Sequence, residues 1–331
     1  MKQCYFKIIT HKIFILLVII LMILLINRDT VIYRFLPEKP FGLNLYNKTN
    51  NIPKTIIVSH FTIDNNNFIK DVINNHRQYA KKHSYDYWFR NGIIDRQLLR
   101  NQQKRINYNI NTFELFWQKL PVIQQAMNIM DGVNHKYEWV LWIDGDAVFT
   151  NIDKSLDILK NEMHVTDKHF LVIAKDMCCN SNNVCPINCC VNSGVLLIRN
   201  NKAARQFMQN IRDSFAKYKD KQFPEQAAIQ DQVLGILVRK NNTMQVLNYT
   251  GNNKCNIHPI SGIMTVNSTT INSGYVVNWQ PNHFICHFAG VSNAARNILI
   301  PKFLKCINSS TNNYKPPCSS TTLVSCQPPT N

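Results

Sequence analysis

What most constrains this chain is an alternation. Short runs of β-branched and large apolar residues punctuate it: TIIVS (Thr55–Ser59), YDYWF (Tyr85–Phe89), WVLWI (Trp139–Ile143), FLVIA (Phe170–Ala174) and VLLI (Val195–Ile198). Such runs of four or five residues suit buried strands. Between them, Phe68, Val72, Ile73, Tyr79 and Ala80 recur at helical spacing. So do Leu120, Ile123, Met127 and Met130, with Pro121 tolerated near the helix start. Leu156 to Leu159 predicts another helix, Ala203 to about Tyr218 a basic amphipathic one, and Ala227 to Val238 a further one. Strands alternating with helices predict an α/β layer architecture with a mostly parallel sheet. In such sheets the ligand lies outside the carboxyl ends of the strands.

WVLWI runs directly into Asp144-Gly145-Asp146. Ionised carboxylates beside apolar residues are costly to desolvate unless something positive meets them. A divalent metal, a phosphoryl group, or only water at an exposed turn are the three partners to weigh. Alternate residues of an extended chain share a side, so both carboxylates point one way and Gly145 leaves backbone room for a ligand. Two hard oxygen ligands suit Mg²⁺ or Mn²⁺, and an added imidazole favours Mn²⁺. A candidate imidazole, His287, lies near the end of the β-like run HFICHFAG (His283–Gly290). A lone histidine is more often a hydrogen-bonded surface or core residue than a ligand, so His287 gains weight only in combination.

The two ends differ from this body. IFILLVIILMILLI, residues 13–26, is apolar without a break and fits either a short membrane span or the hydrophobic region of a signal peptide. The following NRDTVIYRF lacks the small-x-small pattern a signal peptidase needs, which favours an uncleaved anchor preceded by a short cytoplasmic tail, residues 1–12. Residues 27–53, polar and punctuated by PEKPFG, read as a stem; residues 54–305 are the globular domain; residues 306–331, rich in Ser, Thr, Pro and Asn, are a loosely ordered tail. Ten of the eleven cysteines follow the apolar run, as do the glycosylation sequons at Asn47, Asn241, Asn248, Asn267 and Asn308. That favours a body in an oxidising lumen; a tethered cytosolic protein with reduced thiols is the alternative. Within CCNSNNVCPINCC (Cys178–Cys190) either disulfides or zinc could engage the thiols, and the absence of paired C-x2-C spacing favours disulfides. The net charge of +17 is spread along the chain without a dense basic helix. It suits anionic substrates or membranes, and nucleic acid is not an expected partner.

Four segments in order carry a family resemblance: WVLWIDGDAVFTN, VNSGVLLIRN (Val191–Asn200), PEQAAIQDQ (Pro224–Gln232) and CHFAG (Cys286–Gly290). Together with NHRQYAKKHSYDYWFR (Asn75–Arg90), they resemble the retaining glycosyltransferases that include fungal α-galactosyltransferases, α-1,6-mannosyltransferases and plant xyloglucan xylosyltransferases. The resemblance covers Thr55 to Gly290. It implies a GT-A fold, a type II Golgi or other secretory-pathway membrane protein, and transfer of galactose, mannose or xylose to a glycan acceptor. It implies Mn²⁺ (or Mg²⁺) at Asp144, Asp146 and His287, with UDP-galactose, UDP-xylose or GDP-mannose as donor. Gly145 would lie beside the ribose, and Asn192, Ser193 and Gly194 would line the donor-sugar pocket, with Gly290 also at the donor. Glu225 and Gln226 would lie beneath the reacting carbon, and Ser59 would touch the nucleotide. One departure stands out: the plant members carry a phosphate-binding lysine five residues after the metal histidine, and here that position is Ser292, leaving Arg296 as the nearest replacement. Expected partners are thus the nucleotide-sugar donor, the glycan acceptor, the membrane, and further chains in a homo- or hetero-oligomer.

Two rivals stand beside this reading. Asp-Gly-Asp-Ala-Val also fits the D-x-D-x-[TV] pattern of haloacid-dehalogenase-like phosphatases, with Asp144 as nucleophile and Asp146 as general acid/base. That chemistry also needs a downstream acidic pair for Mg²⁺, and no convincing one follows a strand. A catalytically inactive sugar-nucleotide or glycan-binding protein is the other rival.

Overall fold

The computed structural model describes residues 54–61, 68–99, 112–176, 190–221, 223–247, 259–275, 279–280 and 282–309. In chain order they form β1 (Thr55–Phe61), α1 (Phe68–Lys82), β2 (Asp86–Asn91), α2 (Lys119–Met127), β3 (Trp139–Ile143), β4 (Ala147–Phe149), α3 (Leu156–Glu162) and β5 (Leu171–Lys175). There follow β6 (Val191–Arg199), α4 (Lys202–Asp213), α5 (Pro224–Val233), β7 (Leu237–Lys240), β8 (Thr243–Val246), β9 (Ile263–Val266), β10 (Ser273–Gly274), β11 (Ile285–His287) and α6 (Asn293–Ser309).

Local chemistry explains the helix ends. Asp71 in the first turn of α1 and Lys81 and Lys82 in its last complement the helix dipole. Ser155 Oγ accepts the Ile158 N–H at the start of α3, and Asn201 Oδ1 accepts the Ala204 N–H at the start of α4. Helix α5 stops before Gly235, whose positive φ of 68° turns the chain into β7. Leu237 and Val238 therefore lie in a strand, not in the helix expected to reach Val238. Met130, expected on the apolar face of α2, is 49% exposed in the two-residue strand Met130–Asp131.

The six-stranded sheet runs β9-β5-β6-β3-β1-β2. Strand β1 pairs in parallel with β2 and β3, and β5 with β9, while β6 runs antiparallel to both β3 and β5. Sequence alternation sorts its side chains. Ile56, Val58, Val140, Trp142, Leu196 and Ile198 share one face with Leu120, Ile123, Phe207 and Ile229 of α2, α4 and α5. Ile57, Leu141, Ile143, Val195 and Leu197 share the other with Tyr79 of α1 and Leu156 and Leu159 of α3. Burial on both faces is what the unbroken apolar runs require.

A second, three-stranded sheet, β10-β11-β4, sits where β3 ends. A third apolar cluster supports it, joining Phe68 and Val72 of α1 to Val148, Cys286, Phe288, Ile300 and Phe303. Helix α6 runs across the expected domain limit at residue 305 to Ser309. No helix among the described residues is long and apolar enough to cross a membrane. The expected tail, anchor and stem (residues 1–53), four cysteines of the cluster (Cys178, Cys179, Cys185 and Cys189) and residues 310–331 lie outside the described residues.

Candidate active site

Strand register builds the site. In the antiparallel pair β3–β6, Ile143 lies opposite Val195, so the chain leaves the sheet with the Asp144 N–H donating to the Gly194 carbonyl at 2.8 Å. After Gly145, β4 pairs antiparallel with β11 and sets Ala147 opposite His287. The Phe288 N–H donates to the Asp146 carbonyl at 2.9 Å. An imidazole from far downstream is thereby fixed beside the acid pair. Its Nε2 lies 3.1 Å from Asp146 Oδ1 and 3.8 Å from Asp144 Oδ2.

A chain of hydrogen bonds fixes which nitrogen faces the acids. The Gly194 N–H can only donate, and it donates to Asn192 Oδ1 at 2.8 Å. Asn272 Nδ2 donates to the same oxygen at 2.7 Å, which turns Asn272 Oδ1 toward His287 Nδ1 at 2.9 Å. Nδ1 is therefore the protonated nitrogen, and Nε2 presents its ligating position to the two carboxylates. Burial pulls the His287 pKa down, but Asp146 and Asp144 outweigh it and the net shift is upward. Burial pushes Asp146 up; His287 and Arg296 more than reverse it and hold this carboxyl well below the usual range.

One ligand atom from each of Asp144, Asp146 and His287 lies within 4.8 Å of the others. Two carboxylate oxygens and an oriented imidazole are the donor set that Mn²⁺ accepts, so the residues fit a divalent cation. Arg296, on the first turns of α6, adds a guanidinium 2.5 Å from Asp146 Oδ2 and also donates to the Phe288 carbonyl. The departure at Ser292 is thus accompanied by a cation that does reach the acid pair.

A second buried cluster adjoins the first. Lys119 Nζ lies 3.4 Å from Asp144 Oδ1 and 3.1 Å from Glu225 Oε1, and donates to Ser193 Oγ at 3.0 Å. Burial lowers the Lys119 pKa, but Asp144 and Glu225 outweigh it, so the ammonium persists. Burial also raises the Asp144 pKa, only partly offset by Lys119 and His287. Trp142 Nε1 donates to Asp144 Oδ1 at 2.8 Å. Gln226 is held at both ends: its Oε1 accepts the Ser193 N–H at 3.1 Å and its Nε2 donates to Asp176 Oδ2 at 3.1 Å. Glu225 Oε2 is buried with no hydrogen-bond partner among the described residues.

These groups open on one cavity of about 590 Å³. Of the expected residues, Asp144, Gly145, Asp146, Asn192, Ser193, Glu225, Gln226, His287 and Gly290 line it. Gly145 allows a close approach, since a Cβ there would sit 2.8 Å from the Phe61 ring. Two expectations are corrected. Ser59 is fully buried, and alternation turns it to the α1 face, where its Oγ meets His76 Nδ1 at 3.1 Å; His60 and Phe61 line the cavity instead. Gly194 lies behind the site, where a Cβ would fall 2.3 Å from His287 Cε1, so its role is to admit the ring. Sequence reasoning missed Lys119, Asp176 and Asn272. Lys119 carried a signal, being the only charged residue between Glu114 and Asp131.

Residues 53–297 match the galactosyl transferase GMA12/MNN10 family. The chain belongs to that family. Among relatives, Galactomannan galactosyltransferase 1 of Cyamopsis tetragonoloba is 28% identical over 130 residues, 39% of this chain and 24% of that protein. Probable glycosyltransferase 6 of Oryza sativa subsp. indica is 28% identical over 148 residues, 44% of this chain and 24% of that protein. The matched stretches thus span about a quarter of these relatives' length. Similar solved structures include a glycosyltransferase involved in the glycosylation of the major capsid of PBCV-1, with TM-score 0.49 and 15% identity, covering 76% of this chain and 100% of that one. Another is galactosyltransferase LgtC in complex with donor and acceptor sugar analogs, with TM-score 0.41 and 14% identity, covering 78% and 98%. Family membership removes the ground for the phosphatase reading of Asp144.

Proposed function

We propose that this family member is a metal-dependent retaining glycosyltransferase of the GT-A type. It moves galactose, mannose or xylose from a nucleotide sugar to a glycan acceptor in the lumen of the Golgi or another secretory compartment. The observation that carries the reading is the convergence of Asp144, Asp146 and an oriented His287 Nε2 in the same cavity as Glu225 and Gln226.

Asp144, Asp146 and His287 would hold Mn²⁺ or Mg²⁺, which supplies Lewis-acid stabilisation of the departing diphosphate. The protein groups do the rest. Arg296 faces the same edge and adds positive charge where negative charge grows. Gln226, fixed by Ser193 and Asp176, and Glu225, fixed by Lys119, form the polar floor. The free oxygen of Glu225 offers negative charge to a sugar carbon that becomes oxocarbenium-like. Gln226 is a poor nucleophile, which favours same-face attack with the departing phosphate taking the acceptor proton. The luminal part of the reading rests on the apolar run, the sequons and the cysteines read from sequence.

The test is a thermal-shift panel of UDP-galactose, UDP-xylose and GDP-mannose on the full chain, with and without Mn²⁺. A ligand at 100 times its Kd stabilises by about 2.7 kcal/mol. One donor should raise the melting temperature, and only with metal; no shift with any of them would end the proposal. Binding without turnover in the presence of glycan acceptors would favour the non-catalytic alternative.

A further inference from the structure

The cavity has two apolar walls, and they belong to different parts of the fold. Phe61 and Phe68 are part of the cluster shared with α6, on the side of Arg296. Phe116 and Phe223 form the other wall. Phe116 lies on the 3-10 turn that leads into Lys119, and Phe223 directly precedes Pro224 and Glu225.

Phe223 is an unexpected residue for its position. It occupies the N-cap of α5, where Asn, Asp, Ser, Thr and Gly are favoured, and its side chain makes no capping hydrogen bond. Its backbone is left-handed, φ 48° and ψ 60°, a conformation in which a bulky side chain is strained. The residue is 43% exposed. Glycine or asparagine would suit this left-handed, uncapped helix start better, so the helix start itself gives no reason for phenylalanine. Strain of this kind held beside a cavity points to function. The Phe223 ring centroid lies 6.2 Å from that of Phe116, tilted by 41°. The pair is therefore a partly open aromatic surface next to the groups placed under the reacting carbon.

We propose that Phe223, with Phe116, is the acceptor platform, on which a neutral pyranose ring of the glycan rests its apolar C–H face. This inference rests on the transferase reading and adds the acceptor side to it. The diphosphate end is assigned to Asp144, Asp146, His287 and Arg296, and the donor sugar to the Glu225–Gln226 floor. The aromatic wall that continues from that floor is where an incoming hydroxyl approaches. An aromatic face carries negative quadrupole charge and a large apolar area, which suits the slightly positive C–H face of a sugar.

The test is saturation-transfer NMR on the full chain with Mg²⁺ and either UDP or GDP, using methyl α- and β-glycosides of glucose, galactose, mannose and xylose as probes. At least one glycoside should bind wild type, and Phe223→Ala should bind it about tenfold more weakly. Phe223→Trp should retain binding. Phe223→Gly, which relieves the backbone strain, should behave like Phe223→Ala, separating the ring from the turn. Nucleotide affinity should not change in any variant. The inference is overturned if no glycoside binds, if Phe223→Ala binds as well as wild type, or if nucleotide binding weakens in parallel, which would make the wall a base site. A wild type that binds neither UDP nor GDP sinks the transferase reading and this inference with it. Nucleotide binding with unmoved glycoside affinity sinks this inference alone.

Discussion

Replacing Gly194 with alanine should dislodge His287 from the acid pair while leaving the sheet folded. The new methyl would fall 2.3 Å from His287 Cε1 and 2.6 Å from Nδ1. Carbon atoms pack at about 3.5–4.0 Å, so the ring would have to retreat by about 1 Å. Two hydrogen bonds hold the backbone of Gly194 against moving instead. Its carbonyl accepts from the Asp144 N–H and its own N–H donates to Asn192 Oδ1. Overpacking of this kind costs about 1–3 kcal/mol. A retreating ring also loses the 2.9 Å bond to Asn272 and draws Nε2 away from Asp146. Loss of such orienting partners typically lowers metal affinity about 10–100-fold. Mn²⁺ titration followed by electron paramagnetic resonance of the free ion measures it. Gly290→Ala is the control: φ there is 77°, but nothing lies within 4 Å of the added Cβ. It should lose about 1–2 kcal/mol of stability from backbone strain and keep its Mn²⁺ affinity. Wild-type Mn²⁺ affinity in Gly194→Ala would refute this account of the site.

Other expectations follow from neighbouring groups. Lys119→Met leaves Glu225 buried and Asp144 partly buried without their shared cation and should destabilise by about 3 kcal/mol in urea unfolding; adding Glu225→Gln should restore part of the loss. Asp146→Ala removes the nearer partner of both His287 and Arg296, so the Mn²⁺-dependent part of any thermal shift should vanish; a full shift would remove Asp146 from the metal site. His76 is fully buried, which lowers its pKa from the ordinary 6.5 to about 4, despite the opposing bond to the Ala147 carbonyl. The unfolded chain therefore takes up this proton first. The contribution of His76 is complete above pH 6.5 and declines as pH falls toward 4, by about 3 kcal/mol in all. Unfolding midpoints measured from pH 7 to 4 would show it, and a flat profile across that window would contradict it.

Sequence carried the frame further than the floor of the cavity. The strands were legible because burial on both faces demands unbroken apolar runs, and the acid pair because it follows one of them directly. The limit of α5 was not, since alanine, isoleucine, leucine and valine suit either state and only Gly235 marks the break. His287 could be named as a candidate from its run but gained weight only in combination with the other motifs, because 141 positions separate it from Asp146 and no local period records that pairing. Lys119 and Asn272 owe their importance to neighbours that closure of the fold supplies. In one dimension, only the lack of other charges between Glu114 and Asp131 sets Lys119 apart from a solvated lysine. Ser59 and His60 show the sharpest limit, since one step along an extended chain exchanges the α1 face for the cavity.

Strand β11 has a bearing on how the molecule is completed. It is three residues long, yet it delivers the last ligand and anchors the segment that continues into α6. A cation gripped there would tie the late part of the polypeptide to its middle, as a clasp ties two ends of a cord. Hydrogen exchange in α6, well beyond the ligands themselves, should then slow when metal is added. Occupancy would be felt as a tightening of the carboxy-terminal segment.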